Sequence, residues 1–366
     1  MSPQTRRRTR GLLVLFLVLY LAFTLIPGAV YGAYLLREDT PAPQESAPSP
    51  GPSPSSSGEE APGFLEERSL PEGSPLPEEE EVEDLFTLYD AATGETFQVS
   101  AEEFLPAALA CEMDLFAPEE ALKAQAVALY TFYSYQRDHH TGERADFACD
   151  SSQWLVYVPQ SAMEERWGED FPAYYQKLQD VAASVKGQLL TWAGAPICAA
   201  FFAISGGNTA SSQEVWQQEF PYLQSAASPG DAFANGYLST VTLTGEELRQ
   251  AAQGLWPGET DFSGEEESWI SGTETSPSGY VTSAQVGGRT CTGEELREAF
   301  GLRSACFQCS YHQGVFTFTV RGWGHGVGMS QAGAMFLAEQ GANYRKILAH
   351  YYPGATLEGA EASPEP

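Results

Sequence analysis

The sequence predicts an α+β fold in which helices flank a β-rich core, and three observations carry that prediction. Helical segments come with their own start and stop residues: Ser100 with Glu103, Pro118 with Glu119 and Glu120, and the terminators Gly187, Gly341 and Pro353. Between them lie short runs rich in β-branched and aromatic residues, such as GVFTFTVRGWG. Two near-copies, LTGEELRQAAQGL at 243–255 and CTGEELREAFGL at 291–302, each contain a Thr-x-x-Glu capping box. They predict two equivalent helices beside the core, since two copies are too few for a solenoid.

In chain order, FTLYD and ETFQVS around a Thr-Gly pair read as a hairpin. Ser100 and Glu103 then start a first helix. EALKAQAVALYTFYSYQRD forms a second, with acidic residues in its first turn where the helix dipole favours them. FPAYYQKLQDVAASVKG is a third, stopped by Gly187. QLLTW and PICAAFFAIS are two strands around an Ala-Gly turn, and SGYVTSAQVGGRTC, ACFQCSYH and GVFTFTVRGWG supply further strands. SQAGAMFLAEQG and NYRKILAHYYPG are the last two helices. This predicted domain spans 85–356, with 357–366 as a disordered tail.

The N-terminal part differs. Residues 1–10 carry Arg6, Arg7, Arg8 and Arg10, and 11–36 form an apolar run long enough to span a bilayer, interrupted only by Pro27. The basic cluster predicts a cytoplasmic N-terminus, so the rest of the chain is expected outside the cytoplasm on a single-pass cell-membrane anchor. A cleaved signal peptide is the competing reading, but the run is long and no clear A-x-A site follows. Residues 37–84, rich in Pro, Ser, Gly and Glu, cannot bury a core and read as a disordered tether. Extended as polyproline II, that tether reaches on the order of 150 Å at about 3.1 Å per residue.

The formal net charge of −30 excludes nucleic acid as a partner class and argues against docking on anionic headgroups. A neutral or zwitterionic polymer, held by hydrogen bonds and aromatic stacking, remains compatible. Six cysteines stand at 111, 149, 198, 291, 306 and 309. Cys306 and Cys309 are at odd spacing in a strand, so they face opposite sides and neither bond each other nor share a metal. With no second CxxC, a zinc ribbon is excluded.

Two segments could hold chemistry. In RGWGHGVGMSQAGAM, Gly322, Gly324, Gly326 and Gly328 alternate with Trp323, His325, Val327 and Met329. An extended backbone would put the glycines on one face, open to a neighbouring backbone or to a ligand. Glu112 lies among apolar residues between two helices. It is either a helix-end carboxylate facing water or one whose pKa burial raises, which would make it a general acid near neutrality.

CEMDLFAPEEALKAQAVA resembles the catalytic segment of the stage II sporulation protein D family, and GWGHGVGMSQAGAMFLAEQGANYRKILAHYYPG resembles that family's C-terminal signature. FFAISGGNTASSQEVW is similar to its SGG segment, and TGEELREAFGLRS to its helix before the last hairpin. The motifs stand in the family's order across the predicted domain. The resemblance implies a cofactor-free lytic transglycosylase acting on peptidoglycan glycan strands, in sporulation (engulfment) or wall remodelling. Glu112 maps onto the catalytic acid; Lys123, Gln125, Ser205, Gly206, Gly207, Trp323, His325 and Gln331 map onto substrate contacts. Some relatives are amidase enhancers, which implies a rival role: binding the wall and activating a separate amidase without cutting glycan.

Other readings remain for these residues. Lys123 and Gln125 suit a helix surface as well as a substrate contact, and His325 suits a structural role. Ser205 lacks the G-x-S-x-G setting of a serine hydrolase. The chain also departs from the family. Gln153 and Trp154 stand where a zinc-binding His-Cys pair falls in some members, so no metal is expected, although His139, His140 and Cys149 are kept. A metal-dependent hydrolase using His139, His140, Cys149 and His325 is the third reading. Tyr130 replaces the family's arginine, and Phe202 a common histidine.

Overall fold

Around the Thr93–Gly94 pair, β1 (Leu85–Asp90) and β2 (Thr96–Ser100) form the expected antiparallel hairpin, with Leu85 opposite Ser100 and Tyr89 opposite Thr96. It belongs to a computed structural model that describes residues 84–140 and 145–359. The predicted anchor at 11–36, nearly all of the tether and most of the tail lie outside the described residues. Among the described residues no helix is long and apolar enough to cross a membrane.

Asp84, assigned by sequence to the tether, is already part of the domain. Its carboxylate accepts hydrogen bonds from Tyr130 Oη and, at 2.6 Å, from Arg137. Tyr130 thus ties the domain's first residues to a helix. β3 (Phe147–Cys149) joins β1 in parallel on the side away from β2.

Ser100 caps α1 (Ala101–Glu112), its hydroxyl accepting from the Glu103 N–H at 3.3 Å. Phe104, Leu105, Ala108 and Leu109 of α1 are buried in the larger core, together with Leu122, Val127 and Leu129 of α2 (Glu119–His139). α3 (Gln160–Trp167) has no counterpart in the sequence reading; its buried contribution is Met163 alone, so it offers no apolar stripe to find. α4 (Phe171–Ser184) follows and packs on α1 and α2.

β4 (Leu189–Trp192) and β5 (Ala195–Pro196) turn through Ala193 and Gly194, at φ 54° and 80°, a left-handed pair that matches strand twist. The run PICAAFFAIS, expected as one strand, is not one. Ala199 N–H bonds to Ile197 O and Ala200 N–H to Cys198 O, which curls the backbone. Only β6 (Phe201–Phe202) resumes, in parallel with β13 (Met329–Ser330). On the other edge of β4 lies β14 (Thr356–Glu358), so the first residues of the expected tail are a paired strand.

After a short α5 (Ser212–Trp216), β7 (Leu238–Thr244) leads into α6 (Gly245–Leu255). β8 (Ile270–Thr275), β9 (Val281–Val286) and β10 (Arg289–Cys291) then precede α7 (Gly293–Phe300). Thr244 and Thr292 each complete a capping box, so the two near-copies are indeed equivalent helices, and they pack on each other. With β11 (Phe307–His312) and β12 (Val315–Arg321) they enclose a second core around Leu248, Leu296, Phe316 and Phe318. Cys306 belongs to the first core while Cys309 packs on the second, on opposite sides as expected. α8 (Gln331–Glu339) and α9 (Tyr344–Tyr351) return against α2.

Candidate active site

Glu112 is the last residue of α1. Met113 leaves the helix with φ −126° and ψ 150°, so the chain turns away directly beneath the carboxylate. The following loop is pinned: Asp114 accepts from the Phe116 N–H at 2.8 Å, and Lys177 of α4 donates to Leu115 O. Asp114 therefore serves the loop rather than standing as a second acid.

Glu112 is partly accessible, yet burial raises its pKa to about 7. The carbonyl end of α1 adds to the penalty on the anion, because a helix C-terminus disfavours negative charge. Opposing this is the amide of Gln331, the first residue of α8, which favours the ionised form. Gln331 Nε2 is buried and makes no hydrogen bond of full geometry among the described residues. The pair therefore combines a carboxyl poised to hold or release a proton near neutrality with a donor not committed elsewhere.

The predicted contacts divide once the fold is formed. Gln125 is fully buried in α2, so it does not offer a side chain to an external strand, and among the described residues both its amide atoms lack partners. Lys123 is tied to Glu119 at 2.7 Å and Glu120 at 3.1 Å on its own helix. Ser205 and Gly206 are also buried, which removes their predicted role as direct sugar contacts. Ser205 N–H donates to Asp231 at 2.6 Å, Gly206 N–H donates to Tyr280 Oη at 3.2 Å, and Tyr237 Oη donates to Gly206 O at 3.1 Å. Gly207, at φ 112°, retains partial exposure. Trp323 does too, with Arg303 over its ring at 4.4 Å.

His325 is corrected from substrate contact to structural residue. Nε2 donates to Phe201 O at 3.0 Å, and Nδ1 accepts from the Val327 N–H at 3.1 Å, which fixes a neutral tautomer. Burial, then the Arg297 charge, lower its pKa to about 4. Phe202 packs its ring 5.4 Å from the imidazole.

Of the two neighbours expected to require the glycines, protein or a ligand, the structure shows protein, and the backbone form differs from the extended one expected. The segment is not a regular strand: Gly322, Gly324, Gly326 and Gly328 all have positive φ, between 80° and 111°. A Cβ on Gly324 would meet the Phe202 side chain, one on Gly326 the Tyr280 ring, and one on Gly328 would lie 1.9 Å from Ala200 O. The neighbour that requires glycine is the protein's own 200–205 segment and Tyr280. Gly328→Ala is expected to destabilise the domain by about 3 kcal/mol or more, because backbone cannot step aside as a side chain can. Thermal unfolding of the variant measures it.

One functional neighbour escaped the sequence. Asp231, with no exposure, accepts from Ser205 N–H at 2.6 Å, Ser330 Oγ at 2.7 Å and Ser228 Oγ at 3.0 Å. It joins the SGG segment to the N-cap of α8, the residue before Gln331. Burial raises its pKa while these bonds oppose the rise. In SPGDAF it reads as an ordinary turn aspartate, and nothing local marks it as buried.

The residues of the metal reading do not assemble. His139 donates to Tyr135 O at 2.8 Å, and both ring nitrogens of His325 are engaged, by Phe201 O and the Val327 N–H. Cys149 is buried in β3 with its thiol pushed up to about 12, chiefly by burial. No group of three or more potential ligands among the described residues could hold a metal ion. The zinc site of some family members therefore does not fit these residues.

A family model described as Stage II sporulation protein matches residues 89–192, the stretch holding Glu112, α2 and the loop after Cys149. Stage II sporulation protein D of Bacillus amyloliquefaciens is 33% identical over 278 residues, covering 75% of this chain and 79% of that protein. The chain belongs to the stage II sporulation protein D family. The family's Bacillus subtilis (strain 168) protein of that name is 32% identical over 287 residues, with the same coverage of 75% and 79%. The Amidase enhancer of Bacillus subtilis (strain 168) is 27% identical over 288 residues, 65% of this chain and 38% of that longer protein.

Proposed function

We propose that this chain is a lytic transglycosylase that cleaves peptidoglycan between N-acetylmuramic acid and N-acetylglucosamine and leaves 1,6-anhydro ends. The observation that supports it most is Glu112: partly accessible, with its pKa at about 7, and with no second carboxylate among the described residues acting on it. A hydrolase that activates water uses a pair of carboxyl groups; closing an anhydro ring needs one. Glu112 protonates the glycosidic oxygen as the C1–O bond breaks and positive charge develops on the muramic acid ring. The resulting carboxylate takes the proton from that sugar's C6 hydroxyl, whose oxygen bonds to C1. The acid is regenerated and no water is consumed. The Gln331 amide stabilises the carboxylate between the two transfers.

The names of two relatives suggest sporulation as the setting, with wall remodelling as its wider class. The apolar run at 11–36 is proposed to hold the domain outside the cytoplasm at the membrane. The Amidase enhancer relative favours a second reading, in which the chain binds glycan strands and stimulates a partner amidase. One experiment separates the two. The full chain in detergent, incubated with denuded glycan strands, is expected to release anhydro-ended fragments detectable by mass. Intact strands together with a stimulated amidase would give the role to the second reading.

A further inference from the structure

The loop that follows Glu112 exposes a ring. Phe116 is 77% exposed, yet the loop is pinned by Asp114 and Lys177 rather than left to fold the side chain inward. A ring held out on a fixed loop presents apolar surface that a ligand can cover. Phe116 is the end of a row. Tyr174 meets it edge-on at 5.9 Å, Trp167 meets Tyr174 at 5.9 Å, and Trp154 meets Trp167 at 6.0 Å. Phe171 stacks behind Trp167. All of these except Phe116 are half-buried, neither core nor free surface.

The row is built from three separate parts of the chain: the loop after α1, the α3–α4 pair, and the loop at 150–156. The last of these is held in an unfavourable backbone form, with Trp154 at φ 55° and the β-branched Val156 at φ 70°. Asp150 maintains it by accepting from Ser152 and Gln153, while Leu155 pairs back with Asp150. Arg166 lies 4.2 Å over the Trp154 ring and leaves its guanidinium beside the row. Trp154 is also the residue that stands where some family members carry a zinc ligand.

The position of the row decides its occupant. Cys111, beside Glu112, packs on the same cluster as Trp154, Trp167 and Phe171. Phe116, at one end of the row, stands four residues after Glu112, so the row lies close to the segment that carries the candidate acid. A strand of sugars has flat C–H faces that lie on aromatic rings and polar edges that stay hydrated, which suits partly exposed rings better than a dry protein partner. The strongly negative chain disfavours anionic lipid.

We propose that this row is a glycan subsite on which N-acetylhexosamine rings stack as the strand leaves Glu112. It rests on the reading of Glu112 as acting on glycan. The test uses the full chain carrying Glu112→Gln, so that the strand is not consumed, titrated with denuded glycan strands while tryptophan fluorescence is followed. Adding Phe116→Ala and Trp154→Asn is expected to weaken binding about tenfold or more. Asparagine tolerates the left-handed backbone and Phe116 is mostly in solvent; because Trp154 is half-buried, circular dichroism and melting of the variant, expected to be parent-like, show that the fold is kept. Phe233→Ala, which removes a ring 83% exposed elsewhere, should leave binding unchanged. Affinity within twofold of the parent in the Phe116/Trp154 variant would overturn the subsite. With Glu112 intact, the same two changes should raise KM for anhydro-end release and spare kcat. If the parent releases no anhydro ends but the two changes still abolish strand binding, the subsite stands and the transglycosylase reading falls.

Discussion

Glu112→Gln is expected to lower release of anhydro-ended glycan by about 100- to 10,000-fold, the usual range for loss of a general acid. Glutamine keeps the shape and hydrogen-bonding capacity of the side chain but has no proton to donate and recover, so strand binding should survive. Asp114→Asn, at a residue that holds only its own loop, should cost far less. The pH profile is a second readout. The reaction begins with protonated Glu112, whose pKa is about 7, so kcat/KM should fall about tenfold per pH unit above neutrality. Stability follows the same sign. The folded carboxyl binds its proton more tightly than the unfolded one, whose value is 4.5. Its contribution is therefore fully present below about pH 4.5, lost as pH rises to about 7, and constant above. Glu112→Gln should melt higher than the parent at pH 8, and the advantage should vanish at pH 4. A variant that still releases anhydro sugars at the parent rate would show that another group is the acid.

Asp231→Ala should be the most damaging single change to the fold around the site. It strips the acceptor from Ser205 N–H, Ser330 Oγ and Ser228 Oγ, all of them buried. Each orphaned donor costs about 1–3 kcal/mol, so a total on the order of 4 kcal/mol is expected. For a domain of this size that corresponds to a fall in Tm on the order of 10 °C. Asp231→Asn retains volume and one acceptor oxygen, and should lose less. Equal melting of Asp231→Ala and the parent would mean that the three donors find other partners.

The expected domain and its helices could be read from local signals, because caps and terminators act within a turn or two. Ser100, Thr244 and Thr292 cap helices whose starts they announce. Cys306 and Cys309 divide between two cores as strand geometry requires. α3 and the break in PICAAFFAIS were not legible, since neither follows from periodicity. The first buries little, and the second is set by backbone bonds formed only when 197–204 meets its neighbours.

The candidate site divides in the same way. Glu112 stands out in sequence because a carboxylate at the join of two apolar helices is unusual, and resemblance assigned it a role. Its raised pKa, though, comes from burial in the folded protein, opposed by Gln331 of α8, more than 200 residues on. The glycines of 322–328 announced a close approach, but only the fold shows that the approaching groups are Ala200, Phe202 and Tyr280. Burial withdrew Gln125 and Ser205 from the surface, hydrogen bonds engaged both ring nitrogens of His325, and burial made Asp231 a hub that no local pattern marks. Sequence by itself determined which residues can carry a proton and where helices begin, because those properties are local. Which of them face solvent, and with what proton affinity, only the tertiary structure decided, because burial and electrostatic environment are set by residues far away in the chain.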